Sequence, residues 1–365
     1  MDTRGSKEQT ALFPEPERTG NARVLPVVSE QKDIRYFAAT PRSVMNNPKA
    51  TGMGFWSINP YVGCAFGCAY CYARYAHRYA AERTATAAEQ GTGDALPTDE
   101  LPPWLAFERR IMIKREAPAL VRKALARQGT LEALRHERVV IGTATDPYQP
   151  AERRFRITRG VLEVLAEQRD IGVTIITKSP LVTRDVDVLT RINERSRLSV
   201  HISLITVDRE LARVLEPRAP TPEARLRAIA RLRANGIEVG VNVMPVLPGI
   251  TDAPEMIEEL VRSVKVAGAS YIGACALRLQ ATARERYLPF IAAEFPELAA
   301  KYRKAYSNGY QVGERYREGL SQRFAVVCER NGVAFGRYRA SEDDDDETEV
   351  EAAESAAAQL DLLIQ

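Results

Sequence analysis

A short β-branched run followed by an amphipathic helical stretch recurs along this chain, and no other feature constrains its fold as tightly. The runs are WSINPYV (56–62), RRIMIK (109–114), RVVIGTA (138–144), IGVTIIT (171–177), RLSVHISLI (197–205), IEVGVNVMPV (237–246) and SYIGACAL (270–277). Stretches between them, such as APALVRKALARQ, GVLEVLAEQR and PEARLRAIARLRANG, place apolar residues at helical spacing. Two such stretches end in the helix-stop glycines Gly236 and Gly268. Strand, helix, strand, repeated six or seven times, predicts an α/β fold of parallel strands with helical crossovers, as an open sheet or a barrel. Near-continuous Val and Ile agree, because parallel strands are covered on both faces.

In such folds ligands sit at the carboxyl ends of the strands. The polar residues expected there are the cysteine loop after 56–62, Thr143, Thr145 and Asp146 after 138–144, and Thr177, Lys178 and Ser179 after 171–177. His201, Ser203 and Thr206 lie along or after 197–205, Asn242 and Met244 in 237–246, and Arg278 after 270–277.

Cys64, Cys68 and Cys71 follow Cys-x3-Cys-x2-Cys, with Gly63 and Gly67 supplying tight backbone. Thiolates this close together favour a soft metal or a cluster. Zinc with His77 as fourth ligand is the structural alternative, although the spacing fits no common zinc finger and His77 falls on the helix after the loop. A [4Fe–4S] cubane takes four ligands: either Cys275 or Cys328 completes the set, or one iron is left open to a ligand that is not protein. No second cysteine cluster is present, so no auxiliary iron–sulfur centre is expected.

Cys64-x3-Cys68-x-Tyr70-Cys71 on the first strand-to-helix loop resembles the signature of radical S-adenosylmethionine (radical SAM) enzymes. Together with GTATDPYQPAE (142–152), TKSPLVTRDVDVL (177–189) and LEPRAPTPEARLRAI (215–229), it is similar to the spore photoproduct lyase-like branch, whose members are often labelled DNA repair photolyases. The resemblance implies a partial (β/α)6 TIM-like barrel over residues 31–280. It also implies one [4Fe–4S] cluster on Cys64, Cys68 and Cys71, SAM on the fourth iron, and a reductant such as flavodoxin or ferredoxin. By position it places Tyr70 near the adenine and assigns Thr143, Thr145 and Asp146 to the edge for the methionine amino group, although no Gly-Gly-Glu string is present. Lys178 is expected on the methionine carboxylate and Ser203 on the same group or the ribose, with Asn242 and Met244 flanking the adenine. One departure matters. The photoproduct lyases return a hydrogen atom from a cysteine near the substrate, whereas 138–144 and 171–177 contain none, and Cys275 is the one thiol expected near the mouth. A nucleic-acid substrate is the first expectation and a protein or small molecule the second. A non-catalytic metal-binding interaction protein is the alternative from another class.

Outside this core, residues 1–30 are polar, carry Pro14, Pro16 and Pro26 and show no period, so they are expected to be disordered. Residues 84–103 read as a surface insertion and 281–339 as a helical extension packed on the barrel. Residues 280–335 are expected to act as a lid over the mouth, and 84–103 as ordinary variable surface rather than a second lid. Residues 340–365 read as an acidic disordered tail with ten acids and no Lys or Arg after Arg339. The other 38 acids face all 51 basic residues, so the body carries +13 although the whole chain carries +3. Such a body attracts polyanions, and the tail competes for the same surface. Gln359–Ile364 (QLDLLI) resembles the peptides by which bacterial repair proteins dock on the sliding clamp, and Gln9–Phe13 is a poorer copy. No apolar run approaches the ~18 residues of a membrane span, and the start MDTRGSKEQT holds no apolar targeting core. With an odd count of five cysteines, the expected setting is a reducing cytoplasm rather than a disulfide-stapled secreted domain.

Overall fold

A computed structural model describes residues 18–336 apart from 20–21, 24–26, 32, 52–53, 91–100 and 128. Gln9–Phe13, the acidic tail and Gln359–Ile364 lie outside the described residues.

The strands are β1 (Arg18–Thr19), β2 (Ala22–Arg23), β3 (Val27–Gln31), β4 (Ile34–Ala39), β5 (Met45–Asn46), β6 (Trp56–Ile58), β7 (Tyr61–Val62), β8 (Arg110–Lys114), β9 (Arg138–Ile141), β10 (Gly172–Thr177), β11 (Arg197–Ser203), β12 (Glu238–Val246), β13 (Tyr271–Ala276) and β14 (Ala334–Phe335). The main sheet runs β14-β13-β12-β11-β10-β9-β6-β5, and every pairing from β6 to β14 is parallel. Six parallel strands, β6 and β9 to β13, therefore form the array, with a two-residue seventh at its edge. Ile58, Ile141, Ile175, Val200 and Val239 lie side by side across five of these strands, and each is fully buried. Truncating any of them to Ala in such a row costs about 2–4 kcal/mol, because the neighbours cannot all collapse onto the gap.

Two runs do not belong to that sheet as units. RRIMIK forms β8 of a separate four-stranded sheet, β3-β4-β8-β7, in which it pairs parallel to β4. WSINPYV breaks at Asn59 and Pro60, giving β6 to the main sheet and β7 to the side sheet, because the Pro60 carbonyl turns to accept from Lys114 N at 3.2 Å. The side sheet and the short β1–β2 pair also bring part of 1–30 into defined strands, where the sequence led us to expect disorder. Similarly, the helix Arg74–Glu89 continues into the stretch read as a surface insertion, and Pro103–Arg109 is helical.

Beyond β13 come helices Ala281–Glu294, Pro296–Ala305 and Glu314–Arg330. They are bonded to the loops after β12 and β13: the Tyr302 hydroxyl donates to Pro248 O at 2.8 Å, and that of Tyr306 to Leu277 O at 3.0 Å. This end is also where the cysteine loop emerges from β6 and β7.

One face of β10–β13 carries polar groups in place of aliphatics. Thr174 and Ser199 share a hydrogen bond of 3.1 Å, Ser199 meets His201 at 3.4 Å, and His201 bonds the Tyr271 hydroxyl and Asn242. Gly240 makes this possible: a Cβ there would lie 2.3 Å from Cζ of Tyr271, whose ring crosses the strand to reach His201. Burial lowers the His201 pKa from 6.5 to about 4, the Asn242 bond opposes this, and Arg138 adds to the lowering. The unfolded chain thus takes up a proton below pH 6.5 that the fold refuses. His201 is neutral in both states above pH 6.5. Its penalty grows as pH falls from 6.5 to 4, at up to about 1.4 kcal/mol per pH unit, and then levels. Replacing His201 by Gln should flatten the loss of stability across this window in urea titrations at stepped pH. A slope equal to that of the native chain would show that His201 is not buried neutral.

Candidate active site at the carboxyl ends of the strands

The segment Cys64–Cys71 has no regular secondary structure, so its main chain must find partners elsewhere. Cys64 N donates to Phe107 O at 2.9 Å, Ala69 N to Leu215 O at 3.0 Å and Ala65 N to Oε1 of Gln149 at 3.0 Å, while Phe66 O accepts from Arg218 N at 3.3 Å. Gly63 enters the loop at φ +84°, and a Cβ there would stand 2.7 Å from Phe107 O. Only glycine combines that conformation with that approach. The Gly63 carbonyl accepts from Thr145 Oγ1 at 2.6 Å and Gln149 Nε2 at 3.0 Å. At the far end, the buried Arg74 guanidinium donates to Cys68 O at 2.6 Å and to Trp104 O, and pairs with Glu108 at 2.7 Å. The loop is held before anything binds to it.

Its three cysteines are free thiols; Cys64 and Cys68 are buried and Cys71 half-buried. Burial, helped by Asp146 and Cys71, pushes the Cys64 thiol up to about 12. Burial also raises Cys68 against the opposing charge of Lys178, and Cys71 against Arg74 and Lys178. Thiols in this state stay protonated unless a metal displaces the proton, and cationic neighbours then favour the thiolate form. Among the described residues no three His, Cys, Asp or Glu side chains converge closely enough to share one ion. Three thiols on one short loop are the soft donor set that an iron–sulfur cluster takes, each on its own iron. His77 does not complete a zinc site: its Nε2 lies 2.9 Å from Arg110 O, and burial lowers its pKa to about 4.

Beside the thiols lies a buried charged group. Glu216 accepts from the Tyr70 hydroxyl, is ion-paired to Arg225, and stands 3.9 Å from Lys178 Nζ, which sits 5.9 Å over the Tyr70 ring. Burial pushes Glu216 up, but Arg225 and Lys178 together hold its carboxyl below the usual range. Burial works against the Lys178 ammonium, yet Cys68 and Glu216 outweigh it and hold its pKa above the ordinary value.

The residues singled out from the sequence divide into two sets. Asp146 accepts from Tyr148 N, Thr177 Oγ1 and Lys178 N at 2.7–2.9 Å, so its carboxylate ties the end of β9 to that of β10. Thr145 is spent on the Gly63 carbonyl, and Thr143 accepts from Asn59 Nδ2 at 3.0 Å. Ser203 is buried, and its carbonyl accepts from Arg225 at 3.0 Å. Asn242 faces His201, while Met244 is 38 % exposed. Cys275 is half-buried. Sequence reasoning missed Asn59, Glu108, Gln149, Glu216 and Arg225. Glu216 and Arg225 stand in the string LEPRAPTPEARLRAI and Gln149 in GTATDPYQPAE, both of which carried the resemblance, whereas Glu108 had no such signal.

Residues 58–264, more than half of the chain, match the family described as the radical SAM superfamily. An uncharacterized protein of Mycobacterium tuberculosis strain H37Rv is 33 % identical over 303 residues, 82 % of each chain. One of Methanocaldococcus jannaschii is 25 % identical over 58 % of this chain and 68 % of its own. Among solved structures, spore photoproduct lyase complexed with dinucleoside spore photoproduct superposes with a TM-score of 0.55 at 16 % identity, covering 83 % of this chain and 82 % of that one. That likeness is one of fold.

Glu216 offers a direct test of the site. Arg225 is buried beside it with 1 % of its side chain exposed, so Glu216→Ala strands a buried charge and is expected to cost about 3–5 kcal/mol in chemical denaturation. Glu216→Gln, which keeps the Tyr70 bond, should cost less. A loss below ~1 kcal/mol for the alanine variant would mean that the ion pair is solvated.

Proposed function

The chain belongs to the radical SAM superfamily and is a radical SAM enzyme, and from that premise we propose that Cys64, Cys68 and Cys71 each bind one iron of a single [4Fe–4S] cluster, and that the substrate is a nucleic acid. When bound, the cluster and SAM supply one-electron cleavage of the sulfonium to a 5′-deoxyadenosyl radical, the chemistry that the family carries. The chain's own residues bind, orient and enclose.

The observation that carries the ligand assignment is the placement of three free thiols on one rigidly tethered loop at the mouth of the sheet. Lys178, cationic and 84 % buried by side-chain surface, is the group for the methionine carboxylate. A charge-assisted bond in so dry a place is strong. Glu216 and Arg225 hold Lys178 and Tyr70 in place from behind. Thr145 and Asp146 act as positioning residues, since their side-chain oxygens are engaged by the loop and by β10, and Thr143, Ser203 and Tyr70 line the same pocket for SAM. Enclosure comes from the helices after β13, tied to Pro248 and Leu277.

A nucleic-acid substrate is supported by the +13 carried outside the acidic tail and by the fold shared with spore photoproduct lyase, a structure of which is complexed with a dinucleoside photoproduct. A flavodoxin or ferredoxin is the proposed reductant.

Purified without oxygen, the chain should hold about four irons and be coloured, and alanine at any of the three cysteines should abolish both colour and SAM cleavage. Lys178→Ala should keep its iron but raise the KM for SAM about tenfold or more. Retention of full iron by a Cys68→Ala variant would overturn the ligand assignment, and an unchanged KM in Lys178→Ala would overturn the carboxylate role.

A further inference from the structure

Among the described residues the exposed aromatic side chains are three, and they lie together: Tyr72, Tyr75 and Tyr79, at 51 %, 38 % and 40 % exposure. Tyr75 and Tyr79, four apart, share one line of the helix Arg74–Glu89, whose other side buries Arg74 and His77, and Tyr72 stands in the turn that leads into it. A solvated helix face ordinarily carries charged residues, and this one carries rings. Tyr72 comes one residue after Cys71. The Tyr72 hydroxyl donates to Thr143 O just after β9, which anchors the far end of a ring that stays half exposed. Burial of that hydroxyl raises its pKa, Tyr75 and Cys275 add to the effect, and Arg278 opposes them. Tyr75, Cys71, Cys275 and the exposed Arg278 are thus near enough for their charges to act on Tyr72.

We propose that Tyr72, Tyr75 and Tyr79 form a stacking track for the bases of a single-stranded polynucleotide, with Arg278 on a phosphate, leading the strand to the thiol loop. This rests on the nucleic-acid reading above and names the form of that substrate. Three observations point to this occupant. Rings in a row offer flat apolar faces, which every base matches and which a base inside a duplex has already given to its neighbours. Outside the acidic tail the chain as a whole carries +13, a sign complementary to a phosphate chain, and Arg278 supplies a local cation. The track ends at the mouth where the radical would be formed, so a stacked strand delivers its bases and sugars to the reacting position.

The test uses the full chain, purified anaerobically, and a fluorescein-labelled oligothymidylate whose anisotropy is followed with and without added salt. Tyr75→Ala and Tyr79→Ala should each weaken binding about five- to a hundredfold, while Tyr75→Phe and Tyr79→Phe, which keep the ring, should bind like the native chain. Arg278→Ala should lower the slope of log affinity against log salt by about one. A matching duplex should bind more weakly and be insensitive to the two alanine changes. Thermal melting and iron content, unchanged in the variants, confirm the fold. If the native chain cleaves SAM but does not bind the single strand, the nucleic-acid reading fails. If it binds and the alanine variants bind equally well, or the phenylalanine variants fail as badly as the alanine ones, the stacking track alone is overturned.

Discussion

The site depends on the tethering of an irregular eight-residue loop through its main chain to three segments remote in sequence. Phe107, Gln149 and Leu215 each satisfy one amide of the loop, and Arg218 satisfies one carbonyl. Buried peptide groups left unpaired would each cost of order 1–3 kcal/mol, so these bonds decide whether the loop can be buried at all. They also fix where the three sulfurs stand. Loss of one tether would be felt at the thiols before it was felt in the sheet, because the aliphatic rows of β6 and β9–β12 are held independently of it.

Around the loop, burial and charge oppose each other. Three thiols are packed in a dry place that also contains Glu108, Asp146 and Glu216. Each carboxylate is neutralised or capped in its own way. Arg74 pairs with Glu108, Arg225 with Glu216, and three hydrogen-bond donors satisfy Asp146. Lys178 remains, close enough to Glu216 to stay charged yet placed over Tyr70 rather than locked into a short ion pair. A cation held this way retains donors for a ligand. That distinction is invisible in a list of charged residues.

Much of the architecture was legible in the residues. The runs at 138–144, 171–177, 197–205, 237–246 and 270–277 correspond to β9–β13, since parallel strands buried on both faces write themselves as Val and Ile, and Gly236 and Gly268 adopt the positive φ expected of helix stops. The side sheet was not legible. Ile34–Ala39 pairs with Arg110–Lys114 some 75 residues away, and nothing in either hexamer or pentamer says which sheet it will join. The split of WSINPYV at Asn59–Pro60 was equally hidden, because what breaks the strand is the bond from Lys114 to the Pro60 carbonyl.

The sequence by itself determined the family and the array: a repeating βα chain with three cysteines within eight residues on its first strand-to-helix loop is that of a radical SAM enzyme with parallel strands. Spacing along the chain suffices for this, because strand and helix periods and a compact cysteine motif are local patterns. Only the tertiary structure decided which polar side chains are spent on the protein itself. Thr145 and Asp146 were drawn into internal bonds, while Glu216 and Arg225 joined Lys178 and Tyr70 across the mouth. Those outcomes depend on through-space competition for donors and acceptors between segments up to about 150 residues apart, and no local pattern encodes the result of that competition.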